Sequence, residues 1–210
     1  MERDPLLPEQ RAALGALARA PLLSGFYLVG GSGIACHLGH RVSRDLDLFT
    51  GGAFDPAAAA GPLASTLPDT TVVSTTDVMA RLLVGSIPVD LVRTTYPLLE
   101  PLGVGPEGIG LASLLDLAAW KLATIARRGL RRDFWDLYAI LQARLSLEEA
   151  GRSYLRKFGV AASDLYHVAR ALTYFEDAER EPMPAGMTAT LWSAIREFVG
   201  GQAPRLLSIE

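Results

Sequence analysis

Two short stretches of sequence decide how the first half of this chain folds: YLVGGSG at residues 27–33 and DLDLF at residues 45–49. The first stretch joins β-favouring residues to a glycine-rich segment, which predicts a strand, a turn and then a short helix over residues 34–38. The second alternates charged and apolar residues, which predicts a strand with one buried face. Further strands are predicted at residues 71–74, 81–84 and 87–92, the last two joined by a tight Gly-Ser turn.

The second half of the chain is predicted to be helical, because apolar residues recur at helical spacing from Leu111 onward. Its first helix should run to Arg128 and stop at Gly129. Residues 97–110, with four glycines and three prolines, are the best boundary. We therefore predict an α/β (α+β) fold in which residues 1–105 form a mixed sheet with flanking helices and residues 106–210 form an all-helical domain packed on it. Further helices are predicted around Phe134 and at residues 147–158, 163–174 and 187–199.

Length and composition exclude several classes of protein. The chain has 210 residues, of which 50% are hydrophobic and 20% charged, so a largely disordered or fibrous chain is excluded. The net charge of −3 argues against a basic coat for non-specific nucleic-acid binding. Cys36 is the single cysteine, and no apolar run reaches the roughly 18 residues that span a bilayer. We expect a soluble, cytoplasmic protein without a membrane segment.

Asp45 and Asp47 are the first candidate functional residues. Side chains alternate faces along a strand, so these two carboxylates share one face, and Leu46 and Leu48 share the other. Two like charges on one face repel each other unless a cation lies between them. Mg²⁺ is the hard cation that carboxylates and phosphate oxygens hold together. The alternative is an exposed strand start with two solvated acids.

A glycine–serine motif and a third carboxylate extend this pattern. The motif consists of Gly30, Gly31 and Ser32, between a predicted strand and helix, where backbone N–H groups favour an anion such as phosphate. The alternative is an ordinary strand-to-helix turn. Asp90 lies among apolar strand residues, where an acid costs free energy unless it is paired or metal-bound. The alternative there is an edge strand with that face in water, which Pro88 favours.

Taken in order, the motif, the paired aspartates and the later aspartate resemble the nucleotidyltransferase superfamily related to DNA polymerase β. Ser32 precedes Asp45 by thirteen positions, within the usual spacing of that superfamily. The resemblance is closer to the AbiEii-type abortive-infection toxins, the nucleotidyltransferases of type IV toxin–antitoxin systems, and covers about residues 25–175. The stretches that carry it are YLVGGS at 27–32, HLGHRVSRDLDLF at 37–49, KLA at 121–123 with Arg128, and RDFWDLY at 132–138.

The resemblance implies an enzyme of the EC 2.7.7 type that transfers a nucleoside monophosphate from an NTP and releases pyrophosphate. It implies that Asp45, Asp47 and Asp90 hold two Mg²⁺ ions, with Mn²⁺ as a substitute, and that Asp90 receives the acceptor's proton. The glycine–serine motif would bind the NTP phosphates. Some relatives modify the tRNA 3′ end, so RNA is the implied acceptor class, and a cognate antitoxin is an implied partner.

The helical half carries further candidate residues. On a helical wheel, Lys121 falls inside the apolar arc of its helix, with Arg128 almost directly above it. Such cations are usually snorkelling or paired; the alternative is a helix face that directs Lys121 at nucleotide phosphate. Asp133 and Asp136 share a face of the next helix. One interpretation is that the helix dipole favours acids in the first turns; the alternative is that the two acids orient Lys121 and Arg128. From the resemblance, Lys121 and Asp133 belong to the catalytic site, and Lys121 and Arg128 to nucleotide binding.

The residues leave the acceptor open. Four arginines within six positions favour RNA phosphates, with a solvated helix end as the alternative: Arg127, Arg128, Arg131 and Arg132. A second hypothesis is transfer to a small molecule such as an aminoglycoside, or to a protein side chain. A third is a catalytically silent relative that binds a nucleotide or a partner, although all three carboxylates are present.

Overall fold

The computed structural model describes residues 5–209. Contacts between residues divide the chain into two compact units, the first ending at Ser113 and the second beginning at Leu114. The first unit combines a sheet with helices, and the regular elements of the second are helical. Within the described part of the chain, no helix is both long enough and apolar enough to cross a membrane.

The first unit contains three α-helices and seven strands within residues 5–113. The helices are α1 (Pro8–Arg19), α2 (Gly30–Leu38) and α3 (Pro56–Thr66). The strands are β1 (Tyr27–Val29), β2 (Leu46–Thr50), β3 (Thr70–Thr75), β4 (Met79–Val84), β5 (Ile87–Arg93), β6 (Gly103–Val104) and β7 (Gly110–Leu111). The start of α3 follows from local sequence, because the Asp55 carboxylate accepts the backbone N–H groups of Ala57 and Ala58.

All seven strands form one mixed sheet in the order β3-β4-β5-β2-β1-β7-β6. β5 runs parallel to β2, and β1 parallel to β7; the other neighbouring strands are antiparallel. The predicted hairpin between β4 and β5 is confirmed, with Gly85 at a φ of +58° in its two-residue turn. The centre of the sheet therefore consists of β5, β2 and β1, the strands next to the residues that the sequence singles out.

Pro88 lies in the interior of the sheet, so the edge-strand interpretation of its strand is wrong. In a hairpin with a two-residue turn, Leu83 and Pro88 form a non-hydrogen-bonded pair, and the Pro88 nitrogen therefore faces the β2 side. Pairing with β2 begins one residue later, at Val89, opposite Leu46. The missing N–H of proline thus falls before that ladder begins and breaks no hydrogen bond in it.

One face of the sheet packs into a hydrophobic core with α1 and α3. Leu46 and Leu48 of β2, and Val89 and Leu91 of β5, are fully buried there, because apolar residues alternate with polar ones along both strands. The polar residues between them belong to the other face. Further members of the core come from the helices and from β1 and β4: Leu14, Leu17, Leu28, Leu63, Ala80 and Leu82.

Two segments of the first unit differ from their predicted structure. α2 begins at Gly30 rather than at residue 34, so the glycine–serine motif forms the first turn of the helix instead of preceding it. Residues 97–110, interpreted as a boundary, contain β6, and β7 begins at Gly110, opposite Tyr27 of β1. These strands span two residues each, which is too short for an alternating pattern to appear in the sequence.

The second unit is made of helices that largely match the predicted ones. α4 ends at Arg128, as expected, and the helix at residues 147–158 has the predicted bounds. The helix expected over residues 163–174 is shorter, and α8 is an additional element. A mixed sheet with flanking helices, followed by an all-helical part, is therefore the fold class, as predicted. The helices are α4 (Leu114–Arg128), α5 (Arg131–Ala143), α6 (Leu147–Phe158), α7 (Leu165–Ala171), α8 (Glu176–Arg180) and α9 (Ala189–Gln202).

Candidate active site

Two carboxylates belong to the face of the central strands that is turned away from the core, and a third lies just before one of these strands. Asp47 is the second residue of β2 and lies directly opposite Asp90 of the parallel strand β5. Asp45 lies in a bend just before β2, two positions from Asp47, and its charge acts on the same Arg81 side chain that binds Asp90. Leu46 and Val89 are fully buried on the core face. The structure therefore places Asp47 and Asp90 side by side, with Asp45 in the segment that leads into β2.

Gly30 lies against the Asp47 carboxylate. A Cβ atom at Gly30 would stand 1.9 Å from Asp47 Oδ2 and 2.8 Å from Asp47 Cγ, closer than real Cβ atoms come to any neighbour. Gly30 also has a φ of +63°, in the left-handed region that glycine adopts without strain. Val29 of β1 pairs with Asp47 of β2, which brings the start of α2 to this carboxylate. No residue with a side chain fits here without a shift of Asp47.

The next two residues of the motif are also confined. A Cβ atom at Gly31 would stand 2.4 Å from Arg41 Nη2, so the Arg41 guanidinium packs on the Gly31 backbone. Ser32 is buried, and its hydroxyl donates a hydrogen bond to the Asp45 carbonyl oxygen at 2.5 Å. Ser32 therefore ties α2 to the segment that carries the first carboxylate. Arg41, which is absent from the residues singled out in the sequence, adds positive charge beside the motif.

Both oxygens of the Asp90 carboxylate accept hydrogen bonds from one guanidinium. Arg81 Nε donates to Asp90 Oδ1 at 2.7 Å, and Arg81 Nη2 donates to Asp90 Oδ2 at 2.6 Å. The hydrogen bond and the charge of Asp90 raise the pKa of Arg81, and the charges of Asp47 and Asp45 add to the rise. The Arg81 guanidinium is therefore held within the field of all three carboxylates.

Arg81 is also absent from the residues singled out in the sequence, although a signal for it exists there. A two-residue turn at Gly85 and Ser86 pairs Val84 with the residue after the turn, and three positions further out it pairs Arg81 with Asp90. Counting outward from the predicted turn therefore finds the ion pair.

The donor atoms of this site suit a hard divalent cation. Carboxylate oxygens are the ligands that Mg²⁺ and Mn²⁺ prefer, and Gly30 keeps side chains away from Asp47 Oδ2. As arranged in residues 5–209, no group of three or more His, Cys, Asp or Glu side chains could hold a metal ion. The Arg81 guanidinium stands at the Asp90 oxygens instead. The donor atoms are therefore of the type that a divalent cation prefers, whereas their positions in this structure are those of a carboxylate–guanidinium pair.

In the second unit, Lys121 is bound by two carboxylates. Its ammonium donates a hydrogen bond to Asp133 Oδ1 at 2.9 Å and lies 2.8 Å from Asp136 Oδ2, and all three side chains are buried. Burial lowers the pKa of Lys121, but the charges and hydrogen bonds of Asp136 and Asp133 outweigh burial and raise it. Of the alternatives for Lys121, the paired cation is observed. Arg128 is exposed in the last turn of α4.

A second buried ion pair in this unit has no local signal in the sequence. Lys157 Nζ of α6 lies 2.6 Å from Asp116 Oδ1 of α4, and both side chains are only 1% exposed. The same Nζ lies 5.7 Å from the centre of the Trp120 ring, within the range of a cation–π contact. The two partners are 41 residues apart, so only the packing of α4 against α6 brings them together.

The four arginines near the start of α5 do not have equivalent surroundings. Arg131 donates hydrogen bonds to the backbone carbonyl oxygens of Glu179 and Glu181, and its guanidinium lies 5.5 Å from the centre of the Trp192 ring. Arg131 therefore links α5 to the end of α8 and to α9. The other three are exposed: Arg127, Arg128 and Arg132.

Comparison with known sequences identifies relatives over most of the chain. The sequence profile of the nucleotidyl transferase AbiEii toxin family, of type IV toxin–antitoxin systems, matches residues 75–206. The glycine–serine motif, Asp45 and Asp47 lie outside the matched residues. An uncharacterised protein of Aquifex aeolicus (strain VF5), aq_aa25, is 30% identical over 197 residues, which cover 92% of this chain and 93% of that protein.

Solved structures share the fold at low sequence identity. JHP933 from Helicobacter pylori is similar with a TM-score of 0.55 and 20% identity, covering 95% of this chain and 89% of its own. MenT4, a nucleotidyltransferase toxin from Mycobacterium tuberculosis H37Rv, is similar with a TM-score of 0.55 and 16% identity. The match covers 97% of this chain and 87% of the MenT4 chain. The antibiotic-resistance factor ANT(2″)-Ia is similar with a TM-score of 0.54 and 15% identity. The match covers 75% of this chain and 96% of the ANT(2″)-Ia chain.

A mixed sheet with aspartates on its central strands, a glycine–serine motif at a helix start and these sequence relatives together define a nucleotidyltransferase. The profile match covers more than half of the chain. The chain belongs to the AbiEii nucleotidyl transferase toxin family of type IV toxin–antitoxin systems, the family that its motifs resemble.

Proposed function

We propose that this nucleotidyltransferase transfers a nucleoside monophosphate from an NTP to RNA, with a tRNA 3′ end as acceptor, and uses two divalent cations. The observation that carries the proposal is the placement of Asp47 and Asp90 side by side on parallel strands, with Asp45 next to them. Membership in a toxin family supports an acceptor that the cell needs, and translation depends on intact tRNA ends. The same membership supports a cognate antitoxin as a partner.

Asp45, Asp47 and Asp90 would hold the cations, because these carboxylates supply the hard oxygen ligands that such cations require. When bound, two divalent cations stabilise the charge on the attacking and leaving oxygens of phosphoryl transfer. An asparagine at any of these positions would keep the shape of the side chain and lose its charge. The matched asparagine variants therefore separate the chemistry of the site from its packing.

The reaction forms one bond and breaks another at the α-phosphorus of the NTP. The acceptor hydroxyl oxygen attacks this phosphorus, the bond to the bridging oxygen of the β-phosphate breaks, and pyrophosphate leaves. A carboxylate oxygen of Asp90 would accept the proton of the attacking hydroxyl as a general base. The Arg81 guanidinium holds this carboxylate in place at both of its oxygens.

The glycine–serine motif would position the triphosphate beside the carboxylates. α2 begins at Gly30, so the free N–H groups of its first turn and the positive end of its dipole lie next to Asp47. The Arg41 guanidinium on Gly31 adds positive charge at the same place. Ser32 would act by holding the motif to the Asp45 segment through its hydrogen bond.

Lys121, Asp133 and Arg128 remain predicted functional residues of the second unit. The Lys121 ammonium is bound by Asp133 and Asp136. A role at nucleotide phosphate would therefore require Lys121 to share its charge with two carboxylates. Arg128 is exposed and would meet an anion without breaking a buried contact.

The exposed arginines support RNA as the acceptor. Arg127, Arg128 and Arg132 concentrate positive charge on a chain whose net charge is −3, and such side chains bind phosphates rather than bases. The second candidate acceptor is an aminoglycoside. It is favoured by the shared fold of ANT(2″)-Ia, whose structure contains adenylyl-2″-tobramycin.

The test is a labelling experiment with four α-³²P-labelled NTPs, Mg²⁺ or Mn²⁺, and three acceptors: total RNA, total protein and an aminoglycoside mixture. We expect label in RNA from the wild type and a loss of at least about 100-fold in Asp45→Asn, Asp47→Asn and Asp90→Asn. Asp77→Asn, an exposed acid in the turn before β4, is the matched control and should label RNA at the wild-type rate. Label only in protein or aminoglycoside would refute the RNA acceptor, and wild-type labelling by any of the three variants would refute the carboxylate site.

A further inference from the structure

The Arg81–Asp90 pair has the geometry of a specific two-point contact. Two guanidinium nitrogens meet two carboxylate oxygens at 2.7 and 2.6 Å, which is the strongest arrangement that an arginine and a carboxylate form. The two residues face each other in a non-hydrogen-bonded pair of β4 and β5, where side chains approach closest. The contact is therefore set by the hairpin and requires no movement to form.

The two partners differ in how firmly they are held. The Arg81 side chain is 49% exposed, whereas the Asp90 side chain is 20% exposed. Arg81 can therefore leave the pair by rotating into solvent without unpacking the core, while Asp90 stays on its strand. The residues next to Arg81 along β4, Ala80 and Leu82, are fully buried and hold the backbone in place.

The Arg81–Asp90 pair offsets part of the negative charge of the neighbouring carboxylates. Asp47 lies in register with Asp90, and Asp45 lies two positions before Asp47, so two of the three negative charges share one face and the third lies at the start of β2. Repulsion between them destabilises the metal-free protein unless a cation is present. Arg81 supplies a positive charge at this place, because two of its nitrogens contact the two Asp90 oxygens.

We propose that Arg81 is a tethered counter-ion that occupies Asp90 in the metal-free enzyme and leaves it when a divalent cation binds the carboxylates. This inference rests on the metal site of the proposed function. Arg81 is a positioning residue: its two hydrogen bonds keep the Asp90 carboxylate aligned before the cation arrives, and it competes with that cation. The enzyme then binds its metal less tightly than the bare carboxylates would, and Asp90 is released for chemistry only when metal is present.

Metal affinity measured without turnover tests the competition. Mn²⁺ alone is titrated into the full chain and free Mn²⁺ is followed by electron paramagnetic resonance, for the wild type, Arg81→Met and Arg81→Lys. Removing the competitor should tighten the Mn²⁺ Kd of Arg81→Met roughly five-fold, the factor that an ion pair of about 1 kcal/mol represents. Arg81→Lys keeps the charge but makes a one-point contact, and should fall between the two.

A matched control separates this effect from the loss of any ion pair. Arg196 is bound to Glu179 at 2.6 Å in the second unit, with the two side chains 40% and 44% exposed. Arg196→Met should leave the Mn²⁺ Kd unchanged. Equal Kd values for Arg81→Met and the wild type, or weaker binding by Arg81→Met, would overturn the inference. Equal Kd values for Arg81→Lys and the wild type would also overturn it, because charge alone would then explain the effect.

A spectroscopic signature tests the release itself. In ¹⁵N NMR spectra, the Arg81 Nε–H, assigned by its absence in Arg81→Lys, should be protected from exchange in the metal-free protein and lose that protection in saturating Mg²⁺. Protection that persists in Mg²⁺ would overturn the inference. If instead Asp45→Asn and Asp47→Asn bind Mn²⁺ as the wild type does, the metal site of the proposed function fails. The two failures are therefore distinguishable.

Discussion

The contact between Gly30 and Asp47 can be tested by one methyl group. In Gly30→Ala the new Cβ atom would stand 1.9 Å from Asp47 Oδ2, about 1 Å short of the closest approach that real Cβ atoms make. Because Gly30 is held at a φ of +63° at the start of α2, the carboxylate is the group that must move. Gly30→Ala should therefore displace Asp47 from the face that it shares with Asp90.

A second glycine supplies the matched control. Gly39 ends α2 at a φ of +60°, and a Cβ atom there would meet nothing within 4 Å. Alanine in the left-handed region costs about 1–2 kcal/mol, so both variants should lose this amount. The clash adds roughly 1–3 kcal/mol to Gly30→Ala alone, the usual cost of overpacking. We expect Gly30→Ala to lose about 2–5 kcal/mol in total and Gly39→Ala about 1–2 kcal/mol.

The assay is urea unfolding combined with the transfer rate on the labelled acceptor. A misplacement of about 1 Å in a catalytic group costs on the order of 100-fold in rate. The transfer rate of Gly30→Ala should therefore fall by about that factor, and the transfer rate of Gly39→Ala should stay near that of the wild type. Asp47→Ala in the Gly30→Ala background should recover the clash energy and no activity, because it removes the oxygen that the methyl group meets. Equal stability and equal rates for the two alanine variants would refute the reasoning.

Two further predictions concern the second unit. Lys121→Met leaves two buried carboxylates without their cation, which should lower the free energy of unfolding by about 3–5 kcal/mol and the thermal unfolding temperature by about 6–20 °C. The decrease should be smaller for Lys157→Met, which leaves one buried carboxylate without its cation. Because the pKa of Lys121 is raised above its ordinary 10.5, this stabilisation should be complete below pH 10.5 and be lost as the pH rises beyond the folded value; a wild-type minus Lys121→Met difference that grows at high pH would contradict it. In a filter-binding titration, Arg127→Gln should weaken binding to RNA of any sequence and reduce by about one the slope of the logarithm of the binding constant against the logarithm of salt concentration. Arg131→Gln should lower the stability of the protein instead. An unchanged slope in Arg127→Gln would count against an RNA contact at that residue.

The fold could be predicted from the sequence wherever the signal is local. β2 shows alternating side chains, and the β4–β5 hairpin shows its Gly-Ser turn. α6 is preceded by Ser146, whose side chain accepts the backbone N–H of Glu149. β6 and β7 could not be predicted, because strands of two residues depend on a neighbour already in place. The position of β5 inside the sheet could not be predicted either, because proline favours edge strands. Pro88 fits an interior strand here because the pairing of β5 with β2 begins one residue later, at Val89.

The candidate site could be predicted as residue types but not as contacts. Asp45, Asp47 and Asp90 follow from strand alternation and from the order of the motifs. The link from Ser32 to the Asp45 carbonyl spans thirteen positions and depends on how α2 packs beside β2. For the same reason, sequence alone suggests a phosphate role for the Ser32 hydroxyl, whereas its donor is used within the chain.

The hairpin register connects the electrostatics of the site to its backbone. In a strand, a shift of one residue moves every side chain to the opposite face, so the two-residue turn determines which side chains of β4 face the carboxylates. With the observed turn, Arg81 lies opposite Asp90; a shift by one residue would place Ala80 or Leu82 there and remove the guanidinium from Asp90. The same register keeps Ala80 and Leu82 in the core. Burial of the apolar residues of β4 therefore also fixes the position of the charge that Arg81 places at Asp90.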